Sequence, residues 1–102
     1  MPFFAVIADD RPGTGAEREA LRPAHRKRLR DHDHPVAVRV GGPLLDEDGM
    51  MNGSLLIIEA ASRDAVLEFL KGDPYVAAGL YGRCEVRPFS WGLGCPEADG
   101  HG

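Results

Sequence analysis

Two short stretches of this chain hold residues able to move a proton, and their spacing brings them into one discussion. In LRPAHRKRL, residues 21–29, Leu21, His25 and Leu29, followed by His32, fall at i, i+4, i+8 and i+11. That spacing puts all four on one side of a helix of 3.6 residues per turn. An imidazole on such a face is either a buried structural group or part of a site. In GDPYVAAGLY, residues 72–81, Asp73 precedes Pro74 in the pattern of a helix cap followed by proline at the first helical position. A capping carboxylate accepts from the free amides of the first turn and still has a second oxygen to offer. Histidine as a residue type, with a reference pKa of about 6.5, needs little adjustment to transfer protons near neutral pH, and a His–carboxylate pair is the smallest unit that does so. Pro23 is expected near a helix start, which would set His25 at the positive end of the dipole and favour its neutral form. The plainer alternatives are a core histidine satisfied by backbone or water, and an aspartate that only caps.

Other residues are candidates for holding a substrate. Arg22 or Arg28 could bind an anionic group beside His25, and Tyr75 and Ser54 are candidate cavity-lining residues. His32-Asp33-His34 is read as a helix end, since adjacent residues on a helix diverge too far to share a metal. Gly41-Gly42-Pro43 reads as a strand ending that leaves room for a ligand or a tight turn. Neither it nor GDPYVAAG fits GxxxxGK[ST] or GxGxxG. No zinc spacing and no Ser-His-Asp arrangement is spelled out, and neither cysteine has an activating neighbour in sequence. No metal and no organic cofactor is implied.

The elements that must position these residues follow from periodicity and punctuation. FFAVIAD, 3–9, reads as a strand, and DRPGTG, 10–15, as a turn. Residues 16–33 have helical composition interrupted by Pro23, so either a kink or a short turn followed by a main helix from near Arg22 is expected. VAVRVGG, 36–42, is a second strand closed by Pro43; LLDEDGMMN, 44–52, is a hairpin loop; GSLLIIEA, 53–60, is a third strand. SRDAVLEFLKG, 62–72, is a helix with Ser62 as cap and Gly72 as stop, DPYVAAG, 73–79, is a short extra helix, and LYGRCEVRPFSW, 80–91, is a fourth strand.

The order β-α-β-β-α-β is that of an α+β ferredoxin-like plait with an antiparallel four-stranded sheet. Strands one and three are continuously apolar, as central strands are. Strand two alternates, with Val36, Val38 and Val40 on one face, and strand four alternates with Cys84 and Val86 inward, as edge strands do. Two helices cover only one face of such a sheet. Phe3 or Phe4, with half of Leu55–Ile58, must then face away and find another partner, most simply a second copy, so a homodimer through the sheet face is expected.

Composition bounds the rest. A chain of 102 residues, 43% hydrophobic, is one domain, here residues 1–91, followed by a tail, 92–102, with little to bury and an expectation of disorder. A formal charge of −4 argues against a nucleic-acid binder, and Arg26, Lys27 and Arg30 are expected on a solvated helix face, with Arg28 beside the apolar stripe. No stretch is long and apolar enough to cross a membrane and no leader pattern is present, which points to the cytoplasm and to Cys84 and Cys95 as free thiols.

The blocks RPAHRKRL, GGPLLDEDG, GSLLIIEA and above all GDPYVAAGLYGRCEVRPF resemble the YCII-related family of small bacterial proteins, from the first strand through Phe89. The resemblance implies a ferredoxin-like fold that dimerises into a larger α+β barrel. It also implies a His–Asp pair in a cleft, its R-x-x-H histidine falling on His25 and its D-P-[YF] aspartate on Asp73. Some members act as lyases that remove hydrogen halide from halogenated, hydroxylated aromatic compounds. The segment LLDEDGMMN is shorter and poorer in Gly and Pro than is common in the family, and the tail with Cys95 and His101 has no counterpart there.

Two functions are therefore open. One is a lyase or isomerase acting on a small cyclic or enolisable carbonyl or phenolic compound, with His25 and Asp73 as its acid–base pair. The other is a non-catalytic ligand-binding or interaction module in which the same two residues only hold elements together.

Overall fold

The computed structural model describes residues 1–94 and contains the elements in the expected order: β1 (Phe3–Asp10), α1 (Gly15–Arg30), β2 (Ala37–Leu45), β3 (Met51–Glu59), α2 (Arg63–Lys71), α3 (Pro74–Ala77) and β4 (Tyr81–Phe89). The strands form one antiparallel sheet in the order β2-β3-β1-β4. The two continuously apolar strands thus take the centre, where both faces must be dry, and the mixed strands take the edges. This is an α+β ferredoxin-like fold.

One face of the sheet carries the helices, and its two halves are filled by different chemistry. Beneath α2, Phe4, Val6, Leu56, Ile58 and Val86 meet Val66, Phe69 and Leu70 in an apolar core. The helix begins where Ser62 accepts from the Ala65 amide at 3.2 Å, and its apolar stripe recurs at helical spacing. Beneath α1 the buried residues of the helix are Arg18 and His25. That helix has too few apolar side chains to fill its half, so polar groups and a cavity occupy the space.

The opposite face has no helix among the described residues. Pairing places Phe3, Ala5 and Ile7 of β1 beside Leu55 and Ile57 of β3 on that side, and Ile7, Leu55 and Val40 are each more than a third exposed. Phe3 is therefore the phenylalanine that faces away, and Phe4 enters the core.

Four expectations need correction. The first helix is unbroken from Gly15 to Arg30, with Pro23 inside it. Pro23 and the Glu19 carbonyl it leaves without a donor lie on the exposed side, where water can take the missing bond. His25 is then well past the first turn, beyond the reach of the N-terminal dipole, so the dipole argument for its neutrality fails. The second strand does not stop at Gly42. Gly41, Gly42 and Pro43 pair with Leu56, Leu55 and Ser54, and the proline is tolerated because β2 is an edge. The chain turns only at Asp46, whose carboxylate accepts from the amides of Asp48 and Met50.

Third, Val36, Val38 and Val40 do not share a face. The register shifts at Arg39, so Val38 is opposite Ile58 on the helix side and Val40 opposite Ile57 on the open side. One extra residue in a strand reverses every side chain after it. Fourth, Cys84 has the pairing of an inward residue, opposite Ala8, yet it is exposed on the edge strand. Strand four ends at Phe89, and the expectations for Cys95, His101 and most of the tail lie outside the described residues.

Candidate active site

His25 reaches the sheet side of α1 and meets Asp73 at the junction of α2 and α3. Nδ1 of His25 lies 2.7 Å from Oδ1 of Asp73, with the carboxylate fully buried and the imidazole nearly so. The same Oδ1 accepts from the Tyr75 amide at 3.1 Å, so Asp73 is the cap of α3. Its Oδ2 is buried without a hydrogen-bond partner among the described residues. A carboxylate oxygen accepts, so Nδ1 of His25 donates to it, and in the neutral imidazole Nε2 is then the nitrogen that carries the lone pair. An imidazole held in one tautomer with Nε2 available is an oriented proton acceptor.

The Tyr75 ring supports this arrangement. It stacks on the imidazole with centroids 3.9 Å apart and planes 19° from parallel, and the Arg18 guanidinium carbon lies 4.6 Å from the same ring's centre. Arg18 and His25 stand seven residues, about 10 Å, apart along α1. The tyrosine takes up the space between them. Burial raises the Tyr75 phenol above its ordinary pKa, partly countered by Arg18 and Arg22. Its hydroxyl is buried with no partner among the described residues.

Arg18 is the residue that sequence reasoning missed. Its Nε and Nη2 donate to the two oxygens of Asp10 at 2.6 and 3.0 Å, and Nη2 also donates to Ser54 Oγ at 2.8 Å. Burial alone would lower its pKa, but the hydrogen bonds and charge of Asp10 outweigh that and raise it. Tyr81 donates to the same Ser54 oxygen at 2.8 Å, and burial lifts its phenol well above the usual range against the opposing pull of that bond. The available signal was spacing: Arg18 is seven residues before His25 and so on the same helix face, where a charged residue is out of place unless paired.

A cavity of about 380 Å³ opens between α1 and β2, within the size range of small-molecule sites. Arg18, Arg22, His25, Ser54 and Tyr75 line it on one side and Gly41, Gly42 and Pro43 on the other. Of the candidate substrate-binding residues, Arg22, Ser54 and Tyr75 are thus gathered around His25. Arg28 is not among the lining residues. Its guanidinium lies over the Phe69 ring at 4.6 Å and donates to the Phe69 carbonyl at 2.8 Å, tying α1 to α2. Arg26 and Arg30, read as solvated, also reach the cavity wall. A larger, open hollow of about 760 Å³ lies on the outer side of α1, away from the histidine.

His34, just past α1, is 3.8 Å from Asp31 and edge-on to Phe69, as befits a helix end. Among the described residues no group of three or more His, Cys, Asp or Glu side chains is placed to hold a metal ion, and no helix is long and apolar enough to cross a membrane.

Sheet order and helix placement define a ferredoxin-like α+β protein, here with a polar cavity beside a His–Asp contact. Comparison with known proteins makes the assignment specific. The YCII-related domain matches residues 2–90, and the chain belongs to that family. It is 34% identical over 93 residues to Protein YciI of Escherichia coli, covering 85% of this chain and 95% of that one. An uncharacterized protein of Haemophilus influenzae is 29% identical over the same shares. Among solved structures, the chain resembles 5-chloro-2-hydroxyhydroquinone dehydrochlorinase (TftG) from Burkholderia phenoliruptrix, determined with 2,5-dihydroxybenzoquinone. The identity is 35%, the TM-score 0.73, and the match covers 90% of this chain and 95% of that one. SnoaB, a cofactor-independent oxygenase from Streptomyces nogalater, is 16% identical with a TM-score of 0.56 over 92% and 95%, a likeness of fold.

Proposed function

We propose that this chain is a small-molecule enzyme of lyase or isomerase type in which His25 moves a proton and Asp73 orients the imidazole. The observation that carries the reading is the 2.7 Å contact of His25 with a fully buried carboxylate on the wall of a single-ring-sized cavity. Elimination of hydrogen halide proceeds from the keto tautomer, whose halogen-bearing ring carbon is tetrahedral. Nε2 takes a hydroxyl or ring proton, the pair left behind moves into the ring as a new π bond, and the halide leaves with its bonding pair. Asp73 offsets the positive charge that develops on the ring. Ser54 and Arg22 supply donors at the substrate's oxygens. The 35% identity to a dehydrochlorinase supports a hydroxylated, halogenated or quinonoid ring as substrate class.

The working form in this proposal is a homodimer joined through the helix-free sheet face. Exposed Ile7, Val40 and Leu55 there, with the Phe3, Phe89 and Trp91 rings in edge-on contact nearby, support it. One observation favours a second reading. Because Asp73 Oδ1 also caps α3, the pair would hold two elements together in a ligand-binding or interaction module as well.

The test is chloride release from chlorinated hydroxyhydroquinones by the parent and by His25→Asn, with circular dichroism to verify folding. Loss of a general base lowers turnover by about 10²–10⁴-fold. Equal, buffer-level chloride release by both proteins from chlorinated hydroquinones with and without a ring carboxylate, together with no isomerisation of enolisable lactones by either, would sink the catalytic reading and leave the module.

A further inference from the structure

Building on the acid–base reading of this cavity, we infer that its substrate is a ring compound bearing a separate, permanently ionised acidic group, such as a ring carboxylate, which Arg22 and Arg26 hold at the cavity mouth. Among the described residues, the wall of the cavity contains five arginines, Arg18, Arg22, Arg26, Arg30 and Arg39, and no carboxylate side chain. The chain as a whole carries a formal charge of −4, so this concentration does not follow from a basic composition.

The five divide by partner. Arg18 is engaged by Asp10 and Ser54, and Arg39 by Glu59. Arg22, Arg26 and Arg30 make no hydrogen bond or ion pair with any described residue. Standing one helical turn apart, they form a ridge of like charge, an arrangement that disfavours a helix unless something neutralises it. The negative end of the α1 dipole accounts for Arg30, which lies in the last turn, but Arg22 and Arg26 precede it. The same three arginines also border the outer hollow, whose wall includes Glu19, Asp31 and Asp33, yet none of these carboxylates forms an ion pair with them. Facing the ridge across the cavity, Gly41 and Gly42 present backbone, leaving the guanidiniums open to a guest.

Distance selects the chemistry. Arg22 is three residues before His25, about 4.5 Å along the helix axis. An anion held by Arg22 and Arg26 therefore stands about one ring substituent away from an atom within reach of Nε2. A planar carboxylate matches the guanidinium fork and forms charge-assisted bonds that a neutral hydroxyl cannot equal.

The experiment is isothermal calorimetry at fixed ionic strength with 2,5-dihydroxybenzoic acid and hydroquinone, which differ by the carboxylate alone. The acid should bind at least tenfold more tightly, the preference should shrink to within about twofold in Arg22→Gln/Arg26→Gln, and Arg22→Lys/Arg26→Lys should restore part of it. Both side chains are free of internal bonds, so the variants keep the parent's melting temperature. Equal binding of the two compounds, failure of the acid to bind, or a preference unmoved by the glutamine pair would each overturn the inference. So would displacement of the acid by inorganic phosphate at equal concentration, which would make the ridge a general anion patch. If the acid binds through Arg22 and Arg26 but no halogenated ring is turned over, the acid–base reading alone falls. If chloride is released equally from substrates with and without a carboxylate, this inference alone falls.

Discussion

Asp73 serves His25 and its own helix through a single oxygen. Oδ1 accepts from His25 Nδ1 at 2.7 Å and from the Tyr75 amide at 3.1 Å, so the imidazole's position and the start of α3 are fixed by one atom. Removing the charge and removing the side chain should therefore have separate consequences. Asp73→Asn retains an oxygen for both bonds and caps comparably, so its unfolding free energy should stay within about 1 kcal/mol of the parent. Asp73→Ala loses the cap and leaves the buried imidazole without a partner, a cost of about 2–4 kcal/mol. Urea denaturation of the two variants checks this, and equal stabilities would show that Oδ1 does not join the two elements.

The tyrosines offer a direct view of the polar half of the core. Tyr75 and Tyr81 are the two tyrosines of the chain, so the rise in absorbance near 295 nm with pH reports their ionisation. Burial raises both phenols, that of Tyr81 the more strongly. At pH about 10, where a free phenol is half ionised, the folded protein should show well under half of the full absorbance change. The sign for stability follows. A phenol whose folded pKa is raised stabilises the fold fully below the unfolded value and loses that contribution as pH climbs toward the folded one. Melting temperature should thus be insensitive to these groups at neutral pH and fall steeply above about pH 10. Titration of both phenols as free tyrosines would contradict their burial.

The helix-free sheet face should be closed by a second copy. Light scattering on a sizing column is expected to give about twice the 11.0 kDa chain mass for the parent and a single chain mass for Ile7→Lys/Leu55→Glu. Both residues are more than a third exposed in the single chain, so the double variant folds as a monomer. A monomeric parent would remove the dimer from the proposal.

Much of this fold was legible one residue at a time. Apolar runs in β1 and β3 assigned the central strands, Ser62 and Asp73 assigned two helix starts, and the excess of apolar residues on β1 and β3 left a face unaccounted for, because each signal is local and repeats with the period of its element. Pro23 and Gly41-Gly42-Pro43 misled for the complementary reason. Whether a proline breaks an element depends on which side of it meets water, and whether a strand continues depends on the neighbour that pairs with it.

The types and spacing of His25, Asp73, Arg22, Ser54 and Tyr75 marked them as candidates before any coordinates. That Arg18 belongs among them, that Arg28 is spent on Phe69, and that Arg26 faces a cavity are decisions of the tertiary structure. A charged side chain takes its role from the partner it meets. Asp10 for Arg18 and the Phe69 carbonyl for Arg28 come from other elements, brought near only when α1 settles over the sheet and leaves a cavity that its few apolar residues cannot fill.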